Sequence, residues 1–110
     1  PLVQHGAHFG PLELDPQLVL GVENDEVYLT KSFTLQRGET ILLYPTGVVD
    51  DACASGEEFG VLRLIRAVSQ LGAAASPKAR IQHITENVKE FCQTRDLLDD
   101  LTMVALRAKK

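Results

Sequence analysis

Thr40 to Tyr44 reads T-I-L-L-Y, apolar throughout, and this short run constrains the fold more than any other feature of the chain. A strand with no polar alternation is buried on both faces, so some layer must cover each side of it. Just before it stands Gln36-Arg37-Gly38-Glu39, whose glycine can take positive φ. Upstream again, Val27, Leu29, Lys31, Phe33 and Leu35 alternate with Tyr28, Thr30, Ser32 and Thr34. That two-residue period predicts a strand with one more apolar face. Together the two segments predict a hairpin, residues 27–35 against 40–45, closed by the loop at Gly38.

The rest of the chain supplies partners. Leu2 to Leu14 is short apolar pieces broken by Gly6, Gly10 and Pro11, which predicts two short strands around a loop. Pro16 to Val22 is another short apolar segment, and Asn24-Asp25 is turn chemistry. Ser55-Gly56-Glu57-Glu58 has the form of a capping box. The helix expected from it carries Val61, Leu64, Ile65, Val68 and Leu71 on one face and stops at Gly72. Ser76-Pro77 predicts a second helix start, a cap followed by a proline whose missing N–H costs nothing there. Ile81, Ile84, Val88 and Phe91 line one side of that helix. Leu101 to Leu106 closes the chain as a strand. Strands, then helices, then a strand imply an α+β fold with antiparallel pairing. The hairpin is expected beside residues 101–107, with both helices on one sheet face. The expected core is Val61, Leu64, Ile65, Val68, Ile81, Ile84, Val88 and Phe91.

Length and charge bound the function. At 110 residues the chain is expected to be one domain, 1–110, or part of one. A net charge of −4 argues against nucleic acid, which wants a basic stripe. No apolar run approaches the roughly 20 residues of a membrane span. No signal-peptide pattern stands at the start, and the opening on Pro1 suggests a piece of something longer. Cys53 and Cys92 lie far apart in sequence; free thiols in a reducing cytoplasm are the favoured reading, with a single disulfide left open.

Carboxylates collect at two strand ends. Asp50-Asp51 follows the Pro45-Thr46-Gly47 turn, and Asp99-Asp100 immediately precedes the last strand. Acids on rigid neighbouring strand ends suit a hard divalent cation. The plain alternatives are a turn at Asp99-Asp100 and a solvated loop at Asp50. His5 and His8 are spaced H-x-x-H, with no third ligand near in sequence, and read as surface or structural residues. His83 reads as solvent-facing and Cys92 as a half-buried thiol. Phe33, Phe59, Phe91 and Tyr44 read as core.

Taken together these stretches resemble the C-terminal part of bacterial PP2C-like (PPM) phosphatase domains of sporulation and stress-response regulators. The resembling residues are Leu35-Gln36-Arg37-Gly38-Glu39, Ile41-Leu42-Leu43-Tyr44-Pro45-Thr46-Gly47, Asp50, Gly56-Glu57-Glu58-Phe59-Gly60 and Asp99-Asp100-Leu101-Thr102. Leu20-Gly21-Val22 and, loosely, His5-Gly6-Ala7-His8 extend the match to nearly the whole chain. The resemblance implies part of an α-β-β-α sandwich, two antiparallel sheets flanked by helices. It implies hydrolysis of phosphoserine or phosphothreonine on proteins with Mn²⁺ or Mg²⁺, and a cytoplasmic signalling role. It makes Asp99 the family-matched metal position, with Asp100 and Asp50 weaker candidates and no catalytic residue assigned.

Two departures qualify what the resemblance implies. The family's aspartate before the glycine is Thr46 here, and the family's early acidic motifs belong to an N-terminal half with no counterpart in this chain. The chain is therefore expected to be inactive alone and to hold Mn²⁺ or Mg²⁺ weakly or not at all. Its expected partners are a phosphoprotein or a regulatory domain of STAS or kinase type. The alternative is a degenerate, non-catalytic protein-binding module on the same fold.

Overall fold

The computed structural model describes residues 1–12, 20–50, 53, 56–93 and 102–109. Four short strands form one antiparallel sheet: β1 (Leu2–His5), β2 (His8–Pro11), β3 (Thr40–Leu43) and β4 (Val104–Arg107), in the order β2-β1-β3-β4. Three helices accompany them among the described residues: α1 (Thr46–Asp50), α2 (Val61–Ser69) and α3 (Pro77–Cys92). The α+β class expected from the element order holds.

The apolar run is an inner strand. Leu42 sits opposite Leu2 on one side and Ala105 on the other, so β3 is paired along both edges. Thr40, Ile41 and Leu42 are buried, whereas Leu43 is 40% exposed, so burial on both faces stops one residue before the strand does. Gly38 adopts φ 87° in the turn where Glu39 N–H donates to Gln36 O at 2.9 Å, as the glycine predicts.

The expected hairpin with residues 27–35 does not form. Those residues have no regular secondary structure, and Val27 and Leu29 are 80% and 68% exposed. The reason is topological: β1 and β4 already flank β3 on both sides, leaving it no open edge for a third strand. The expected neighbourhood of β3 and the closing strand does hold, with Leu43 opposite Val104. The strands of the first segment also hold; β1 and β2 close through Gly6-Ala7, with Gly6 at φ 63°. Of Pro16–Val22, residues 13–19 lie outside the described ones, and Leu20 to Val22 form an exposed turn.

Both helices pack on one sheet face. Leu2, Phe9 and Leu42 from the sheet meet Leu64, Ala67 and Val68 of α2 and Ile84 and Val88 of α3. Val48, Val49 and Phe59 complete that cluster, with Ile65, Ile81 and Phe91 half-buried at its margin. Val61, expected in the core, is 40% exposed, and Leu71, expected on the same helix face, is 38% exposed. Their positions explain this: α2 begins at Val61, with Gly60 as N-cap and no side-chain cap bond, and ends at Ser69. The expected capping box does not start it, because residues 56–60 are irregular and Ser55 lies outside the described residues. The second helix start is as expected: Ser76 Oγ accepts from Ala79 N–H at 3.1 Å, and Pro77 follows.

Arg80 is the largest fully buried side chain, at 1% exposure. It reaches back from α3 to the end of α2, donating to Val68 O at 2.7 Å, Gly72 O at 2.7 Å and Ala73 O at 3.3 Å. Its guanidinium lies 4.9 Å from the centre of the Phe9 ring. A helix C-terminus leaves carbonyls without partners, and the planar fork of arginine meets several at once. Burial, and secondarily the charge of Arg107, lowers the affinity of Arg80 for its proton.

Cys53 and Cys92 form a disulfide, Cα–Cα 5.0 Å, against the favoured reading of free thiols. The segment after α1 and the last residues of α3 converge at the core edge. Gly60 N–H donates to Val49 O at 3.0 Å, and the Phe59 and Phe91 rings meet edge-on at 5.5 Å. The α2–α3 pair folds back on itself and so brings together cysteines 39 residues apart.

Candidate functional site

The candidate site grows from the end of β3. Tyr44 and Pro45 leave the sheet, and Val48 N–H donates to Pro45 O at 3.1 Å. Here the sequence suggests a glycine turn, but the structure forms α1 over Thr46–Asp50. Val48 and Val49, 0% and 6% exposed, pin this short helix to the core. Thr46 and Asp50, four residues apart in α1, lie on one face of the helix, and both are exposed. Tyr44 sits half-buried at the root of the site, and burial pushes its phenol above its ordinary range.

The antiparallel register adds the second strand end. Val104 opens β4 opposite Leu43, so β4 begins at the sheet end where β3 runs on toward α1. The chain enters β4 from the stretch that carries Asp99 and Asp100, through Thr102, which is exposed, and Met103, which packs on the core. Asp99, Asp100 and Asp51 themselves lie outside the described residues. Among the described residues no group of three or more His, Cys, Asp or Glu side chains stands close enough to hold a metal. Those residues on their own do not fit an Mn²⁺ or Mg²⁺ cage. Asp50 offers the one carboxylate on α1, and Thr46 offers a neutral hydroxyl where an anionic oxygen is wanted.

A second feature was not legible in the sequence. Between α2 and α3 opens a cleft of about 300 Å³, bordered by Phe59, Arg63, Arg66, Gln70, Glu90 and Phe91. The Arg63 guanidinium stacks 4.3 Å from the Phe91 ring centre, and its Nη1 donates to Phe59 O at 3.0 Å and Glu58 O at 3.2 Å. The spacing Phe59-x-x-x-Arg63 is the signal that could have pointed to it. Elsewhere on α2, Leu62 is 81% exposed. His83, expected to face solvent, is half-buried, and its Nε2 pairs with Gln70 Oε1, just past the end of α2, at 2.7 Å in an exposed contact.

The described residues form an α+β fold, an antiparallel sheet with helices on one face, in which the end of β3 and the start of β4 lie side by side. The family model described as Stage II sporulation protein E (SpoIIE) matches residues 1–109, and the chain belongs to this PP2C-like phosphatase family. No significant match is found among curated proteins or among solved structures.

Proposed function

We propose that this chain is a segment of a PP2C-like protein serine/threonine phosphatase domain from a bacterial signalling regulator, and that by itself it does not turn over. Family membership supports the first half. The second half rests on one observation: Thr46 occupies the exposed start of α1, at the position that carries the aspartate in the resembling family motif. A hydroxyl adds no negative charge, and one anionic ligand fewer around a doubly charged ion weakens its hold. Asp99, with Asp100 and Asp50, would supply what oxygen ligation remains, to Mn²⁺ or Mg²⁺. The bound ion in such sites lowers the pKa of water and clamps phosphoryl oxygens. The residues of this chain would serve to place those carboxylates at one sheet end.

The test is hydrolysis of an aryl phosphate and of a phosphoserine protein in Mn²⁺. No turnover above buffer is expected. Manganese-dependent turnover that disappears in Asp99→Ala would contradict the reading and show that other acids complete a site.

The exposed Leu62 and the arginine-bordered cleft favour a second reading, a non-catalytic module that binds a phosphoprotein or a regulatory domain of STAS or kinase type. Loss of partner binding in Leu62→Asp with an unchanged fold would support it. Either reading suits a cytoplasmic setting; the Cys53–Cys92 bond would meet reductants there, and thiol trapping at lysis measures its state. No helix among the described residues is long and apolar enough to cross a membrane.

A further inference from the structure

His5 and His8 are far more specific in the fold than in the sequence. They face each other directly across the β1–β2 hairpin, the last residue of one strand opposite the first of the next. Directly opposed residues of an antiparallel pair share a face, with Cβ atoms roughly 4.5–5.5 Å apart. Both histidines are exposed, so an ion reaches them from water.

The hairpin end that carries them is held in place. Gln4, 2% exposed, donates from Nε2 to Gly6 O at 2.9 Å and to Ala73 O at 3.0 Å. Its Oε1 accepts from Thr40 N–H at 2.9 Å. One buried amide therefore ties the turn to β3 and to the α2–α3 connection. On the other strand Phe9, next to His8, donates its N–H to Ser69 Oγ at 3.2 Å. The residues flanking both imidazoles are anchored, so little ordering is needed to bring the rings together.

We propose that His5 and His8 form a two-nitrogen site for a late transition-metal ion of the Ni²⁺, Cu²⁺ or Zn²⁺ kind, with its other positions open to water or to a group from a partner. Imidazole nitrogens select these ions over Mg²⁺ and Mn²⁺, which prefer carboxylate oxygens. Two nitrogens at about 2.0–2.1 Å from one ion lie roughly 3 Å apart, a span that imidazoles on directly opposed strand positions reach. Cys53 and Cys92 are joined to each other and offer no competing thiolate. The site is separate from the acids at the β3–α1 junction, and it stands or falls independently of the phosphatase reading.

The experiment is calorimetric titration of the untagged, oxidised chain with NiCl₂, in parallel with His5→Asn, His8→Asn and His83→Asn. The parent should bind one Ni²⁺ per chain, and either hairpin substitution should weaken binding by roughly tenfold or more. His83→Asn should match the parent. Because both hairpin histidines are exposed, thermal melts of their variants should coincide with the parent melt. In the unsubstituted chain, Cu²⁺ should broaden the imidazole resonances of His5 and His8 before those of His83. Equal Ni²⁺ affinity in all four proteins, or broadening that begins at His83, would overturn the proposal.

Discussion

Opening the Cys53–Cys92 bond should be the most damaging single chemical change to this fold. The bond closes a loop of 39 residues that contains all of α2 and nearly all of α3. In the chain-entropy treatment, a cross-link over that length removes about 13 cal/mol/K from the unfolded ensemble, or about 4 kcal/mol at room temperature. An unfolding entropy of about 2.1 cal/mol/K per residue converts this to a fall in Tm of roughly 15–20 °C for a chain of 110 residues. The assay is a pair of calorimetric scans, oxidised and after treatment with a phosphine reductant, with thiols titrated at the start of each. The double variant Cys53→Ala/Cys92→Ala should melt near the reduced parent and ignore the reductant. A reduced parent that melts within a degree or two of the oxidised one would refute the reasoning. So would two free thiols in the oxidised preparation.

Other perturbations follow from burial. Ile84→Ala removes a fully buried side chain between the sheet and α2 and should cost about 2–5 kcal/mol in urea unfolding; an unchanged midpoint would contradict its core placement. Arg80→Lys keeps the charge but loses the fork that meets Val68, Gly72 and Ala73, and should cost about 1–3 kcal/mol by the same measurement; equal stability would show that the α2 C-terminus does not depend on that clamp. Tyr44 has its phenol raised above 10.0 by burial, so its contribution is fully present below that pH and is lost as pH rises through the folded value. Stability of the parent should therefore fall on the alkaline side more steeply than that of Tyr44→Phe, and superimposable pH profiles would contradict this.

The helical part of the fold was legible because its signals are local. Ser76-Pro77 starts α3 through a bond to a backbone N–H three residues on, and Ile84 and Val88 repeat at helical spacing. The strand at 40–43 was legible from its apolar run. Residues 27–35 misled because alternation reports a face but not an edge, and both edges of β3 belong to strands distant in sequence. The capping box misled for a related reason: Gly60, at φ 84°, breaks the chain between Ser55 and α2. The disulfide and the His5–His8 pair are long-range or cross-strand facts, set by how α2 and α3 fold back and by hairpin register. Nothing around Arg80 in the sequence announces the three carbonyls it meets. Of the candidate site, the α1 end with Thr46 and Asp50 was legible through the family motif, while Asp99 and Asp100 rest on that motif alone.

On the proposed reading, Thr46 puts a neutral side chain where the family motif has a metal-binding anion. Calorimetry with Mn²⁺ on the parent, Thr46→Asp and Asp99→Ala tests it most directly. Thr46 is exposed and shares a helix face with Asp50, so the new carboxylate should be accommodated without disturbing the core. Weak binding to the parent is expected, roughly millimolar as for poorly caged hard cations, with distinctly tighter binding to Thr46→Asp and loss in Asp99→Ala. The same Mn²⁺ affinity in all three would contradict that reading and would make these acids an ordinary solvated surface.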